Sequence, residues 1–418
     1  MALDFLKRFV QGISLGKPDL AHHWRTPGIL DRGALGEARL ALNGRGHGTA
    51  LWENAGALWS MPIGPRSSPA LMRLPMGEGE NPRIVMNSDG RGVALWQSEV
   101  MGEKQLLGKV LGSGDSMAHV IFWTNGQISH LQAAADRRGN ALVVWLHEKA
   151  GQFEVMAQSF DARTETWEQE PTVLSIPSTE SLKPHIAVND RERAMVLWEV
   201  HGKEFEGLVA SHYWPSDRIW SDRPVPVVSH ATLHHQVVMD DPGNAMAIWI
   251  HAPHGQRSTL EASFYNVQRC EWDEPLVLAS AQSMTPPRIV MTGNGEALAA
   301  WCQGEGRGPA RLYCKAFTKG KWDTAVECLD AGQGGVRDFA IALDSEGQAG
   351  LLAVHQGADV QWVSARLRQG DWSPPMPFSQ ASQAPCSSPR LAICPQGASA
   401  LWIQGEGHNK ALMLSETT

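Results

Sequence analysis

The chain has 418 residues, a formal net charge of −8 and 19% charged residues, which argues against nucleic acid as a partner because phosphate binding needs clustered lysines and arginines. Glycine (41 residues) and proline (25) are plentiful and 17 tryptophans stand beside only 3 tyrosines, a composition that favours many short strands joined by turns over helices. The length allows about two or three ordinary domains, but a repeat that runs through the chain favours one large closed body.

The first residues predict an amphipathic helix followed by a linker, which we assign to residues 1–18. Apolar side chains recur with the 3.6-residue helical period at Leu3, Phe5, Leu6, Phe9, Val10 and Ile13. This face could pack against the rest of the chain, dock into a partner protein or lie on a membrane. We predict Phe5, Leu6, Phe9 and Val10 as partner-binding residues. Only Lys7 and Arg8 would attract anionic lipid, so the sequence argues against a membrane role.

The repeated unit is a β-hairpin that ends in tryptophan. In residues 136–145, two apolar runs flank an Asp/Gly/Asn turn, and the second run ends at Trp145. Copies end at Trp52, Trp96, Trp145, Trp198, Trp249, Trp301 and Trp402, with Ala353 in the same position of a further copy. Eight repeats of this length predict a β-propeller of four-stranded antiparallel blades.

A second marker, a tryptophan followed shortly by proline, indicates the fourth strand of a repeat: Trp167, Trp220, Trp272 and Trp372. The last repeat has three strand candidates and lacks the fourth, whereas residues 23–30 carry an isolated copy of that marker at Trp24. We therefore predict that residues 23–30 supply the outer strand of the last blade. Residues 19–418 then form a single, closed, eight-bladed propeller without exposed sheet edges at the ring junction.

The motif Asp-x-x-Gly-Asn-Ala, followed by an apolar run and tryptophan, resembles the repeats of bacterial β-propellers of the sialidase (BNR) kind over almost the whole chain. The mark of that family is an Asp box, Ser-x-Asp-x-Gly-x-x-Trp, between the third and fourth strands. Residues 318–322 and 368–372 keep the tryptophan without the aspartate. The resemblance implies the fold; sialidase-like chemistry would also need a tyrosine nucleophile and an acid/base carboxylate beside an arginine cluster.

One residue of each repeat, thirteen before the tryptophan position and twelve in the last repeat, forms a predicted ring: Arg39, Arg83, Gln132, His185, Gln236, Arg288, Ala340 and Arg390. The first strand of each propeller blade lines the axis. We therefore expect Arg39, Arg83, His185, Arg288 and Arg390 to converge at one mouth of the channel. An anion such as a carboxylate, sulfate or phosphate would relieve their repulsion. Alternatively, each arginine pairs with a loop carboxylate, for instance Glu78 or Glu80 near Arg83.

Histidines follow the tryptophan by two residues at His147, His251 and His355. They come from repeats that are not adjacent, so we predict hydrogen-bonded histidines at hairpin ends and no metal site. The six cysteines form no CxxC pair, which argues against zinc and a disulfide framework. Since the sequence also shows no signal peptide and no apolar span of transmembrane length, we expect a cytoplasmic protein that needs no cofactor.

These features favour a non-catalytic binding or scaffolding propeller that contacts a protein partner through its inter-blade loops and the N-terminal helix. The first alternative is a lectin-like propeller, or one that binds an anionic small molecule or glycan, with its site at the arginine-lined mouth. The second alternative is a sialidase-like glycosidase.

Overall fold

A computed structural model describes residues 24–64, 73–111, 117–176, 179–216, 218–306, 308–330, 334–379 and 382–417. Within these residues every regular element is a β-strand, and the strands form eight antiparallel sheets. We number the sheets as blades 1 to 8, in the chain order of their first strands. The predicted all-β, eight-bladed propeller is confirmed; the predicted helix, with Phe5, Leu6, Phe9 and Val10, lies outside the described residues.

Blades 1, 2 and 8 each contain four strands. Blade 1 comprises Leu35–Leu42, Gly48–Asn54, Ala57–Ile63 and Leu74–Glu78. Blade 2 comprises Glu80–Met86, Gly92–Val100, Glu103–Leu111 and His119–Thr124. Blade 8 comprises Cys386–Cys394, Gly397–Gln404, Lys410–Glu416 and, from the start of the chain, Gly28–Gly33.

In blades 3 to 7 the outer strand consists of two short pieces, both paired with the third strand. Blade 3 comprises Gln127–Ala135, Ala141–Lys149, Gln152–Asp161, Thr166–Trp167 and Thr172–Val173. Blade 4 comprises Glu180–Val188, Ala194–His201, Glu206–Trp214, Ile219–Trp220 and Val225–Val228. Blade 5 comprises Leu233–Met239, Ala245–His251, Ser258–Asn266, Glu271–Trp272 and Leu276–Ala281.

Blade 6 also has a divided first strand. It comprises Ser283–Met284, Arg288–Met291, Ala297–Gly304, Arg311–Thr318, Lys321–Trp322 and Glu327–Cys328. Blade 7 comprises Gly335–Leu343, Ala349–Gln356, Gln361–Gln369, Asp371–Trp372 and Met376–Pro377. The first strand of every blade contacts the first strands of both neighbouring blades, and that of blade 8 contacts that of blade 1. The eight first strands therefore surround a common axis.

The start of the chain closes this ring. Strand Gly28–Gly33 pairs antiparallel with Lys410–Glu416, and Trp24 forms an isolated bridge to Thr417. The closing strand thus begins later and runs three residues further than the predicted segment 23–30. The side chain of Asp31, in the closing strand, reaches into blade 1. There the Asp31 carboxylate accepts hydrogen bonds from Trp52 Nε1 (2.9 Å) and Asn54 Nδ2 (2.8 Å). Closure therefore joins blade 8 to blade 1 through a buried polar contact as well as through the sheet.

The turn between first and second strands explains the repeated Asp-x-x-Gly-Asn sequence. Asp136 Oδ1 accepts hydrogen bonds from the backbone amides of Arg138 (2.8 Å) and Asn140 (2.9 Å), which closes the turn. Gly139 occupies the left-handed region at φ +89°, which favours glycine. In the preceding blade, Asn87 caps its own turn and also donates to the carbonyl of Arg137 (2.8 Å), so adjacent turns are linked.

The repeated tryptophans are the main packing residues between blades. All seven are at most 2% exposed, and Ala353 in blade 7 is equally buried. Eight apolar clusters occupy the eight junctions between adjacent blades, each drawing residues from both sheets. Burial of one indole removes about 150–250 Å² from water, or about 4–6 kcal/mol as an upper bound. The seven repeated tryptophans therefore hold adjacent blades together.

The described residues contain no helix that is long and apolar enough to span a membrane.

Candidate functional site: the arginine-lined axis

The eight predicted ring residues lie at one level of the propeller. Each pairs, across the ladder of first and second strands, with the residue that directly precedes the tryptophan position: Arg39 with Leu51, Arg83 with Leu95, Gln132 with Val144, His185 with Leu197, Gln236 with Ile248, Arg288 with Ala300, Ala340 with Leu352 and Arg390 with Leu401. Because these strands surround the axis, the ring residues form one layer around it.

An irregularity in the first strand precedes the ring residue in every blade. In seven blades it is a register shift, and in blade 6 the strand is divided just before Arg288. Five blades place a non-glycine residue in the left-handed region there: Asn81, His130, Lys183, His234 and Ser388. Such β-bulges re-aim side chains and leave backbone carbonyls unpaired. Arg39, Arg83 and Arg390 each donate to the carbonyl of the residue before them, at 2.8–3.0 Å.

The structure brings the four predicted arginines together. Glu37 in the bulge of blade 1 accepts hydrogen bonds from Arg39 Nη2 (2.6 Å) and Arg83 Nη1 (2.7 Å). Burial and the charges of Arg83, Arg390 and Arg288 together lower the pKa of Arg39 to about 9, although Glu37 opposes them. Since Arg288 belongs to blade 6, three blades from Arg39, the two charges can interact only across the axis.

Arg390 has the same environment from the other side. Burial lowers its pKa, Arg288 and Arg83 add to that effect, and Glu37 and Asp338 favour its charged form. Glu37 and Asp338 are thus the acidic groups with the strongest influence on the buried arginines. The alternative partners for Arg83, Glu78 and Glu80, do not form its ion pair; Glu37 does. The four arginine charges therefore repel one another at the axis, and Glu37 and Asp338 oppose that repulsion.

His185 occupies a different part of the ring. Burial lowers its pKa to about 3, with His235 and Arg288 contributing, so its ring is neutral at pH 7. Its Nδ1 lies 3.5 Å from the backbone amide of Val237 in blade 5. Gln236 makes the equivalent contact one blade further, accepting from the amide of Ile289 (3.1 Å). His185 therefore bridges neighbouring first strands and adds no charge to the arginine group.

A second polar group at the bulges of blades 4 and 5 was missed by the sequence analysis. The carboxylate of Glu199 is buried and lies 3.0 Å from Lys183 Nζ and 3.4 Å from His235 Nδ1. Burial alone would raise the pKa of Glu199, but His235 and Lys183 outweigh it and lower the pKa to about 2. His235 Nε2 also lies 2.8 Å from the carbonyl of Lys183. This group is neutralised internally, unlike the arginines.

The histidines two residues after the tryptophan position are individually hydrogen-bonded. His147 Nε2 lies 2.9 Å from Thr124 Oγ1, His251 Nδ1 lies 3.1 Å from the carbonyl of Ala231, and His355 Nε2 lies 2.7 Å from Ser364 Oγ. The described part of the chain contains no group of three or more histidine, cysteine or acidic side chains placed to hold a metal ion.

No protein-family model matches this sequence, and no curated protein does. Solved structures match the fold. A polysaccharide lyase of family PL25, an ulvan lyase bound to a saccharide, aligns with a TM-score of 0.52 and 10% identity over 93% of this chain and 95% of that chain. The Dos1 propeller aligns with a TM-score of 0.51 and 9% identity over 93% and 94%.

The BP39L lectin from Burkholderia pseudomallei aligns with a TM-score of 0.51 and 11% identity, covering 83% of this chain and 99% of that chain. Two sialidases also match, with TM-scores of 0.40 and 0.39. At such identities these likenesses show the fold alone: the chain is a β-propeller.

Proposed function

We propose that this propeller is a binding protein whose arginine-lined axis takes an anionic ligand. The observation that carries the proposal is the grouping of four half-buried arginines, contributed by blades 1, 2, 6 and 8, whose charges repel one another at the axis. An anion with oxygen acceptors would offset their repulsion and accept charge-assisted hydrogen bonds. A carboxylate, sulfate or phosphate group, free or on a glycan, has this chemistry.

The proposal is for binding without turnover. The three tyrosines, Tyr213, Tyr265 and Tyr313, pair into third strands, two strands away from the axis. None is placed beside the arginines as a sialidase-like nucleophile would have to be. Hydrolysis of a fluorogenic glycoside by the purified protein would contradict this part of the proposal.

Thermal shift measurements with inorganic sulfate and phosphate test the anion site. We expect the parent protein to melt at a higher temperature in either anion than in sodium chloride of equal ionic strength, because a bound anion adds stability through mass action on top of the general stabilisation that sulfate and phosphate give to folded proteins. The double variant Arg288→Gln, Arg390→Gln should lose most of that shift. Arg269→Gln, which removes an exposed arginine paired with Asp273, is the matched control and should keep it. An equal shift in all three proteins would overturn the proposal.

A protein partner is the second candidate, favoured by the outer strand of blade 2. On strand His119–Thr124, Trp123 is 62% exposed and Val120 is 51% exposed. An outer strand is a sheet edge, where an apolar surface beside unpaired backbone groups can receive an extended segment of another protein.

Affinity purification from the native host tests this candidate. Trp123→Ser should remove a partner that the parent protein recovers, because the exposed indole would be the apolar anchor. Ile219→Ser, at an equally exposed position on the outer strand of blade 4, is the control and should recover the same partner. Identical recovery by all three proteins would exclude the blade 2 edge as the docking surface.

A further inference from the structure

The third strands carry one position that decides whether the space between neighbouring blades is filled. It lies three residues after the residue that pairs with the tryptophan position, and we call it the cleft position. In blades 3 to 7 the register places there Ser159, His212, Phe264, Ala316 and Leu367. A backbone hydrogen bond from the outer strand to the carbonyl of each of these residues confirms that the five positions are equivalent.

Large side chains at the cleft position fill the space. The ring of His212 in blade 4 packs on Tyr265 of blade 5, with centroids 4.5 Å apart. Phe264 in blade 5 stacks on Phe317 of blade 6 at 5.9 Å. In both cases the aromatic residue of the following blade is covered by the cleft residue of the preceding one.

Ser159 is too small to fill this space, and the corresponding aromatic residue of blade 4, Tyr213, is 8% exposed and packs on Trp220. A cleft of about 350 Å³ opens between blades 3 and 4, within the usual range of small-ligand sites. Its lining combines aromatic rings, Trp167 and Tyr213, with hydroxyl, amide and carboxylate groups, which include Asn140, Thr166 and Glu168. Glu168 Oε2 lies 3.3 Å from the amide of Ser159, beside the opening that the serine leaves.

The charged residues that line this cleft are four acids and two arginines, so it has no excess of positive charge, in contrast to the axis: Asp136, Asp161, Glu168, Glu192, Arg163 and Arg218. Asp161 lies 3.7 Å from Arg218, and Glu192 forms an ion pair with Arg138. Burial is the largest cause of the raised pKa of Tyr213. The charges of Glu168, Arg218 and Glu192 also act on it, so these three groups lie near the same tyrosine. Because acids outnumber arginines in this lining, the cleft disfavours an anion and suits an uncharged ligand that offers hydroxyl groups.

We propose that the cleft between blades 3 and 4 is a saccharide-binding site, separate from the arginine-lined axis. A neutral sugar presents one face of C–H bonds, which suits the negative face of the partly exposed Trp167, and hydroxyl groups that reach the polar rim. Ser159 is the residue that opens the site. The site does not depend on the anion-binding proposal, because no arginine of the ring lines it.

A related cleft between blades 6 and 7 supplies an internal control. Ala316 at the cleft position leaves it open, but Arg368 stands where blade 4 has Tyr213, so that cleft lacks the aromatic wall. It should not bind the sugar that the first cleft selects.

Screening the full chain on an array of neutral and acidic oligosaccharides, followed by calorimetric titration of the best neutral glycan, tests the proposal. Ser159→Phe places in blade 3 the residue type that blade 5 has at Phe264, so the variant should fold and melt within a few degrees of the parent. It should weaken glycan binding at least tenfold, because the phenyl ring fills the cleft. Ala316→Phe should bind like the parent.

The arginine variants separate this site from the axis. Arg288→Gln, Arg390→Gln should leave binding of the neutral glycan unchanged. Loss of glycan binding in that variant, unchanged binding in Ser159→Phe, or an array on which no neutral glycan binds would each overturn the proposal, and none of these outcomes decides whether the axis binds anions.

Discussion

Replacing Asp31 by alanine is expected to lower the free energy of unfolding by about 3–5 kcal/mol, the cost of breaking a buried, hydrogen-bonded charge network by removing one partner. The carboxylate of Asp31 is the acceptor for Trp52 Nε1, Asn54 Nδ2 and Arg73 Nη1, the last at 2.6 Å. Its loss leaves the buried indole nitrogen of Trp52 without its acceptor and weakens the junction at which the ring closes. Urea unfolding followed by tryptophan fluorescence measures the change.

The effect of Asp31→Ala should depend on pH. Burial alone would raise the pKa of Asp31, but the hydrogen bonds from Trp52 and Asn54, that from the Arg32 amide and the charge of Arg73 lower it overall. A carboxyl group whose pKa is lower in the folded state contributes full stability above its unfolded pKa, about 3.9, and loses it as the pH falls through the folded value. The difference between parent and variant should therefore be largest near pH 7 and shrink below about pH 4.

Asp273→Ala is the matched control for this prediction. Asp273 also pairs with an arginine at 2.6 Å, but about half of both side chains is exposed. Exposed pairs contribute about 0–1 kcal/mol, so this variant should unfold almost like the parent. Equal destabilisation by the two variants, or a pH-independent effect of Asp31→Ala, would show that Asp31 does not hold the junction.

The propeller could be predicted from the sequence because its packing residues recur at fixed intervals. A buried indole such as Trp198 recurs in seven of the eight blades. The turn before it needs a side-chain acceptor such as Asp136 and a residue like Gly139 with left-handed φ. The closing strand was visible for the same reason, since Trp24 repeats a marker that the last blade lacks. The exact bounds of this strand could not be predicted, because it continues to Gly33 without any tryptophan or proline that would mark its end.

The site was predicted only in part, because the number of residues between the ring residue and the tryptophan position does not reveal the bulges. Every first strand is interrupted before the ring residue, so the count from that residue to the tryptophan position, thirteen in seven repeats and twelve in the last, does not include the irregularity. The count found Arg39 but not Glu37, which the bulge turns toward Arg39 and Arg83. It likewise missed Glu199, whose partners Lys183 and His235 come from the bulges of two blades.

The open cleft was missed although its signal is present in the sequence. Aligned on the tryptophan position, the third strands show a serine at 159 where the next two blades have His212 and Phe264. Only the pairing register shows that these residues face the following blade. Once it is known that these side chains face the following blade, a small residue at the aligned position indicates an unfilled space between two blades.

Replacing Glu37 by glutamine is expected to lower the free energy of unfolding by about 2 kcal/mol and to make stability dependent on anions. The change removes the negative charge that Arg39 and Arg83 share, and the side chains of these arginines are only 17% and 16% exposed. The loss should be smaller than for a fully buried pair, because the side chain of Glu37 is 40% exposed. In addition, burial and the charges of Glu80 and Glu37 raise the pKa of Glu53, so the change relieves Glu53 of one negative neighbour. Thermal unfolding should shift by about 2–4 °C.

Sulfate should restore much of that loss, because an anion at the axis would take the place of the missing carboxylate among the four arginines. The sulfate-induced rise in melting temperature, measured against chloride of equal ionic strength, should therefore be larger for Glu37→Gln than for the parent. Glu99→Gln, which breaks the exposed pair with Lys104 at 2.6 Å, should show the parent's response. A destabilised Glu37→Gln protein that sulfate does not rescue would mean that the arginines lie too far from a common point to hold one anion, and the axis would then be a structural charge cluster.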